Sequence, residues 1–226
     1  MTKTNVIICG AGGRMGQLLV ACAKKDPSLE ITGTVGDGDD LNDVISRADV
    51  VVDFTTPSAS LPIAKIAAAH KKALVIGTTG HSETERTALQ DAVRGIPVVF
   101  SANFSTGVNV LFYVTRLVAQ LLKNADVDIS ETHHTKKVDA PSGTAKRLQE
   151  ILEAVRQRDV PVHSLRIGDV VGEHTVAFTT PDERLELTHR AIDRATFARG
   201  ALRAAQWVVT QKPGLYDMQD VLGLKK

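Results

Sequence analysis

The sequence predicts an α/β chain in which a doubly wound, parallel-sheet domain comes first and an α+β domain follows. Three observations carry this expectation. Over the first hundred residues, short apolar runs alternate with helical patterns, as a series of βαβ units requires. Several of those runs are nearly all apolar, which suits strands covered on both faces. After Phe100 the rhythm changes to one long apolar helix and then to strands that follow one another.

The elements fall in order. Val6 to Cys9 is a strand that ends at Gly10, and Leu18, Leu19, Ala21 and Cys22 recur at helical spacing behind it. Leu29 to Val35 is a second strand and Val50 to Phe54 a third. A short helix over Ile63 to Ala69 leads to a strand at Ala73 to Ile76. A helix from about Ser82 to Val93 leads to a strand at Pro97 to Phe100. Val108 to Leu122 is the long helix, and Val127 to His133 reads as a strand. From Gly143 to Val155, the residues Ala145, Leu148, Ile151, Leu152 and Val155 form one helical stripe. His163 to Ile167, His174 to Phe178 and Arg184 to Ala191 read as strands. In the last of these, Leu185 and Leu187 alternate with charged neighbours, so one face is wet or meets a partner. Thr196 to Val209 is helical, and Gly214 to Leu222 closes the chain.

Composition narrows the functional classes. The 226 residues carry 27 Lys and Arg against 26 Asp and Glu, a net charge of +1. A general nucleic-acid binder would show a basic excess, and an acidic disordered chain the reverse. No apolar run approaches the ~20 residues of a membrane span. The first residues enter a strand without a signal-peptide pattern, so a cytoplasmic setting is expected. Cys9 and Cys22 follow no metal or redox spacing, which excludes a disulfide scaffold.

The turn after the first strand reads Gly10, Ala11, Gly12, Gly13, Arg14, Met15, Gly16. It departs from G-x-G-x-x-G, because Met15 stands where the third glycine is expected and Gly16 comes one later. Its position between strand and helix is that of a Rossmann-type dinucleotide loop. There glycines let the backbone approach a pyrophosphate and the helix N-terminus supplies N–H donors. No G-K-[ST] follows, which argues against a nucleoside-triphosphate loop. Asp37, near the end of the second strand, is the candidate for the adenosine ribose hydroxyls. Asp39 and Asp40 lie close enough that the assignment can slip, and a solvated acidic turn is the alternative. Two further loops at strand ends, Gly77-Thr78-Thr79-Gly80 and Ser101-Ala102-Asn103-Phe104-Ser105, lie where open α/β sheets bind ligands; each is also a plausible ordinary turn.

The most unusual stretch runs from Glu131 to Ala145. It places His133, His134, Lys136 and Lys137 directly after a strand, then Pro141, Ser142, Gly143 and Thr144 at a helix start. A metal site needs at least three converging ligands, and a His pair with no matching cluster does not supply them, so no metal is expected. One reading is a polar loop with two structural histidines. The other is a site for an anionic substrate. In that reading the lysines supply charge, Gly143 and Thr144 offer a carboxylate the helix N-terminus, and a histidine delivers a proton.

Taken together, several stretches resemble the dihydrodipicolinate reductase family. They are the glycine loop, Asp53-Phe54-Thr55, Gly77 to Gly80, Ala102 to Ser105 and, above all, His133-His134 through Thr144. Gly172 to Thr175, Arg184 to His189, Phe197 to Ala201 and Gly214 to Met218 extend the resemblance over nearly the whole chain. It implies a Rossmann domain over 1–104, to which 196–226 returns, and a mixed-sheet domain over 105–195 that binds substrate and builds a homotetramer. It implies NAD(P)H-dependent reduction of the cyclic imine dicarboxylate 4-hydroxy-tetrahydrodipicolinate, in lysine and diaminopimelate biosynthesis. His133 would be the catalytic acid/base and Lys137 a proton donor, while His134, Gly143 and Thr144 would bind substrate carboxylate. The nucleotide would lie on Gly10, Ala11, Gly12, Gly13, Arg14 and Met15, on Gly77, Thr78 and Thr79, and on Ser101, Ala102, Asn103 and Phe104.

Two departures stand out. The segment Gly36 to Asp49 is short for the family, and the family's acid–arginine pair after the second strand falls here on Gly36-Asp37. From Asp26 through Ser46 there is no Lys or Arg, while four aspartates lie between Asp37 and Asp43. That balance predicts a preference for NADH over NADPH. A different two-domain dehydrogenase would not need the His-His-Lys cluster. A non-catalytic nucleotide sensor would have no use for His133 and Lys137.

Overall fold

The computed structural model describes residues 3–225. They divide into two compact units, one formed by the chain through Ser105 and again from Ala195, the other by Thr106–Arg194.

The first unit begins with β1 (Thr4–Cys9), α1 (Arg14–Ala23), β2 (Leu29–Val35), β3 (Val50–Asp53) and α2 (Pro57–Ala69). It continues with β4 (Ala73–Ile76), α3 (Glu83–Ala92) and β5 (Pro97–Phe100). The central strands are buried at every position, and successive residues feed opposite faces of the sheet. Val6, Ile8, Val50, Val52 and Val75 face one core, whereas Ile7, Cys9, Val51, Leu74 and Ile76 face the other. Burial of each such side chain is worth about 1.5–3 kcal/mol. Two faces of apolar side chains therefore hold a short four-residue strand such as β3 in place.

The second unit contains α4 (Thr106–Leu121), β6 (Asp126–His133), α5 (Gly143–Arg156), β7 (Val162–Arg166), β8 (Gly172–Thr179) and β9 (Arg184–Ala191). Its sheet runs β7-β6-β8-β9, with β6 and β7 parallel and the other pairs antiparallel. On one face α4 supplies Val108, Leu111 and Phe112, and α5 supplies Ala145, Leu148 and Leu152. These close on Ile129, Val176 and Phe178. Ser130, Thr132, Thr175 and Thr188 take the opposite face by the period-two rule.

The chain then returns to the first unit through α6 (Ala195–Val208), β10 (Gly214–Tyr216) and α7 (Met218–Val221). Strand β10 pairs in parallel with β5 and completes a six-stranded sheet of order β10-β5-β4-β3-β1-β2, parallel throughout. Two elements differ from the sequence expectation. Helix α2 starts six residues early, with Pro57 in its first turn, and it carries Pro62 in its interior. The apolar pattern alone points to a start after that second proline. Strand β10 is three residues long and only partly buried, too short for periodicity to register.

Candidate functional site

In the first unit, the glycine loop is held by close backbone contacts. Gly10 has φ +80°, a left-handed conformation, and a Cβ there would lie 2.4 Å from the Phe54 carbonyl oxygen. A Cβ on Gly16 would lie 2.0 Å from the Gly10 carbonyl oxygen. Gly16 therefore performs the close packing of helix on turn that the dinucleotide fingerprint assigns to its third glycine, one residue later than the strict motif. Gly13 is the N-cap of α1 and brings no side chain to the helix start, while the space beside Gly12 is open. No capping side chain competes for the first N–H groups of α1, so a phosphate fits there.

Asp53, at the end of β3, ties two of the strand-end loops together. Its buried carboxylate accepts hydrogen bonds from the Thr55 N–H (3.0 Å) and hydroxyl (2.5 Å), from the Thr78 hydroxyl (3.0 Å) and from the Ser60 hydroxyl (2.5 Å). Hydrogen bonds to a charged group contribute about 1.5–3 kcal/mol each, and four of them offset the cost of burying a carboxylate that has no ion pair among the described residues. Thr55 N–H also donates to Thr78 Oγ1 at 2.9 Å. In the next loop, Ser101 Oγ donates to the Asn103 carbonyl at 3.0 Å, and Asn103 Oδ1 accepts from the Ser105 N–H at 2.8 Å. Phe104 is core: its ring packs 5.6 Å from that of Phe54, so a ligand would meet its backbone and not its side chain. Thr78, Thr79, Phe100, Ala102, Tyr216 and Lys225 line a cavity of about 340 Å³ at these strand ends. In the acidic turn, Asp39 accepts from the Gly36 N–H at 2.8 Å, and Asp40 caps the following turn through the Asn42 N–H at 2.8 Å. Asp37 is exposed and makes no hydrogen bond or ion pair among the described residues, which singles it out from its neighbours.

In the second unit, β6 buries alternate residues, and the buried series runs Val127, Ile129, Glu131, His133. Two apolar residues are thus continued on the same face by a carboxylate and an imidazole. The strand ends at His133, so His134 lies in the turn that follows. Register sets the neighbours: Arg166 on β7 lies opposite His133, and His174 on β8 lies opposite Glu131. Glu131 Oε1 accepts from the Arg166 guanidinium at 3.0 Å and from the Ser142 N–H at 3.1 Å. Its Oε2 lies 2.7 Å from His133 Nδ1, a close contact bent away from a linear hydrogen bond. The His133 and His174 rings meet edge to face with centroids 5.1 Å apart. Ser142 Oγ lies 3.1 Å from His174 Nε2 and also caps α5 by accepting from the Ala145 N–H at 3.2 Å. Lys137 Nζ is paired with Asp139 at 2.7 Å. Gly143 is exposed and Thr144 half-buried at the start of α5.

These contacts set the protonation states. Burial raises the Glu131 pKa, but hydrogen bonds from Ser142, Ser164 and Arg166 outweigh it and bring the value to about 2. His133 is pushed below its usual value by burial; the Glu131 carboxylate opposes this, while Lys137 and Arg166 add to it. Burial, with His133 alongside, lowers His174 to about 3. Glu131, His133 and His174 each place a donor atom within 4.8 Å of the others, a convergence the sequence did not reveal. The carboxylate's charge is already met by Arg166, and the lowered pKa values of His133 and His174 leave both imidazoles neutral beside it near pH 7. The sequence pattern alone assigns no role to Glu131, Arg166 or His174. The signal for Glu131 was present as a carboxylate two residues before His133 on an otherwise apolar strand face.

A glycine-cradled helix start beneath a parallel sheet and a His–Lys–Arg cluster beside a capped helix define a nicotinamide-dependent oxidoreductase. The chain belongs to the dihydrodipicolinate reductase family: residues 4–104 match "Dihydrodipicolinate reductase, N-terminus" and residues 107–222 match "Dihydrodipicolinate reductase, C-terminus". It is 43% identical to the 4-hydroxy-tetrahydrodipicolinate reductase of Akkermansia muciniphila, with 98% of this chain and 99% of that protein covered. Against the enzyme of the same name from Geobacter sulfurreducens it is 42% identical, covering 98% of this chain and all of the other. The fold is similar to that of the dipicolinate-bound dihydrodipicolinate reductase from Paenisporosarcina sp. TG-14, with a TM-score of 0.82, 22% identity, and 97% and 99% of the two chains covered.

Proposed function

We infer that the chain is an NAD(P)H-dependent 4-hydroxy-tetrahydrodipicolinate reductase, acting in lysine and diaminopimelate biosynthesis. The observation that carries this reading is the Glu131–His133–Arg166 cluster beside Lys137 and the Ser142-capped start of α5, in a chain matched by its family over nearly all its length. The first unit would hold the nucleotide on Gly10 to Met15, Gly77 to Thr79 and Ser101 to Phe104. When bound, the nicotinamide supplies a hydride. The substrate loses its 4-hydroxyl as water, and the conjugated imine accepts the hydride at ring C4 as electrons move toward the ring nitrogen. His133 and Lys137 then hold and deliver the proton that completes reduction at ring C3. Lys137 and Arg166 offset the negative charge of the two carboxylates and of the developing enamine. His134, Gly143 and Thr144 grip a carboxylate at the positive end of the α5 dipole. Its depressed pKa keeps His133 neutral near pH 7 and makes its protonated form a stronger acid than an ordinary imidazolium, ready to give the proton up.

NADH is the preferred cofactor in this reading. Exposed Asp37 is free to bond both ribose hydroxyls, and no Lys or Arg lies between Asp26 and Ser46 to meet a 2′-phosphate. Each like-charge pair at ~4 Å would cost about 1 kcal/mol in water. Arg14, exposed at the start of α1, is the basic residue of the glycine loop. Loss of NADH absorbance with freshly generated substrate tests the activity, and kcat/KM for NADH and NADPH at two salt concentrations tests the preference. No turnover with either cofactor overturns the first, and a clear NADPH advantage overturns the second. The active form is read as a homotetramer built through the second unit.

A further inference from the structure

We propose that Glu131 is a positioning residue for His133, its buried carboxylate holding the imidazole with the proton on Nδ1 and leaving Nε2 as the working nitrogen. This rests on the reading of His133 as the proton-transfer residue and deepens it. Three features fix the arrangement. First, the two oxygens of Glu131 are divided: Arg166 and the Ser142 N–H occupy Oε1, so Oε2 is turned to the imidazoles, 2.7 Å from His133 Nδ1 and 3.9 Å from His174 Nε2. Although the contact is bent from linear, two lone pairs that close would repel, so the neutral imidazole places its proton on Nδ1. Second, the other edge of the ring has a fitted seat. A Cβ on Gly172 would lie 3.0 Å from His133 Nε2, so the absence of a side chain there lets the ring lie where Glu131 holds it. Third, the His174 ring closes one side edge to face.

The charges facing His133 come from every strand of the cluster and from the loop. They are Glu131 on its own strand, Arg166 on β7, His174 on β8 with His189 beyond it on β9, and Lys137 and Asp139 in the turn. Of the carboxylates, Glu131 exerts the larger pull toward imidazolium, and Asp139 is already engaged with Lys137. Removing the Glu131 charge therefore leaves His133 harder to protonate.

The test uses the full chain. Glu131→Gln keeps an acceptor for Arg166 and Ser142 but removes the charge. It is expected to lower kcat roughly 10²-fold, the low end of the range for general acid–base catalysis, with the KM for NADH unchanged. The limb of the kcat/KM pH profile that reports His133 should move to lower pH, a shift that a purely structural role would not produce. Long-range ¹H–¹⁵N correlation on histidine-labelled wild-type protein should show Nδ1–H at His133, and this measurement decides the matter if Glu131→Gln fails to fold. An Nε2–H tautomer in the wild type overturns the proposal, as does a folded Glu131→Gln with unchanged kcat and pH limb while His133→Ala is inactive. A fully active His133→Ala overturns instead the reading on which the proposal rests.

Discussion

At the scale of single residues, the second unit turns a strand's alternation into chemistry. Val127 and Ile129 belong to the core, and the next two residues on that face are Glu131 and His133. His133→Ala or Lys137→Ala is expected to lower kcat by roughly 10²–10⁴-fold. NADH affinity should be nearly unchanged, because the proposed nucleotide residues belong to the other unit; near-normal turnover in both variants would remove them from the mechanism. His174 carries a second consequence. Its folded pKa is about 3, against about 6.5 for an unfolded histidine. The unfolded chain therefore takes up a proton that the fold refuses, and the stability present above pH 6.5 is lost as pH falls toward 3. Glu131, depressed to about 2, adds its own loss only below the ordinary glutamate range, near 4.3. Urea midpoints should drop between pH 7 and pH 5, and His174→Gln should flatten that slope. An identical slope in the variant would assign the acid sensitivity elsewhere.

At the scale of elements, most of the fold could be read from the sequence, because apolar period and turn chemistry agree. Strands β2, β4, β5 and β9 fall on their expected residues, and Ser82 and Ser142 cap helices whose starts the sequence marks. The misses have physical causes. Helix α2 begins at Pro57, where a proline in the first turn costs no hydrogen bond, and continues through Pro62, which pattern reading treats as a boundary. Strand β10 depends on its neighbour β5 rather than on its own three residues. Within the site, His133, Lys137 and the start of α5 were visible because they are close in sequence. Arg166 and His174 come from other strands, and only register brings them in. Gly16 belongs to this scale as well. Gly16→Ala forces the turn away from α1, at a cost of about 1–3 kcal/mol in stability. It should also weaken NADH binding, measurable by titration of NADH fluorescence. Unaltered affinity and stability would mean that the turn relaxes freely. By contrast, Thr144→Val should leave the fold intact and raise the KM for the dicarboxylate more than it lowers kcat, as loss of uniform binding does.

At the scale of the whole molecule, the two units differ in how completely their sheets are covered. The six-stranded sheet has an apolar core on each face, which is the condition for parallel strands. The four-stranded sheet has its helices, α4 and α5, on one face only. Its other face carries paired polar groups. Thr175 and Thr188 share a hydrogen bond of 2.9 Å across β8 and β9, and Glu173 pairs with Arg190 at 3.2 Å. On β7, which presents mostly exposed residues, Leu165 is 56% exposed. Strand β9 is an edge of the four-stranded sheet, with a strand neighbour, β8, on one side only. Such an edge invites pairing unless it is covered. In the proposed homotetramer, self-association through this face would supply that cover, and a closed assembly with twofold symmetry would let the same polar face meet itself. The charge pattern suits such a contact, because Glu173 and Arg190 present both signs side by side. Sedimentation at micromolar concentration is expected to give a tetramer. Leu165→Glu, which adds a like charge on each copy at the contact, should shift it toward smaller species while the secondary structure of the second unit persists. A wild-type monomer under those conditions would mean that the polar face is simply solvated and that β9 is protected by its own charged residues.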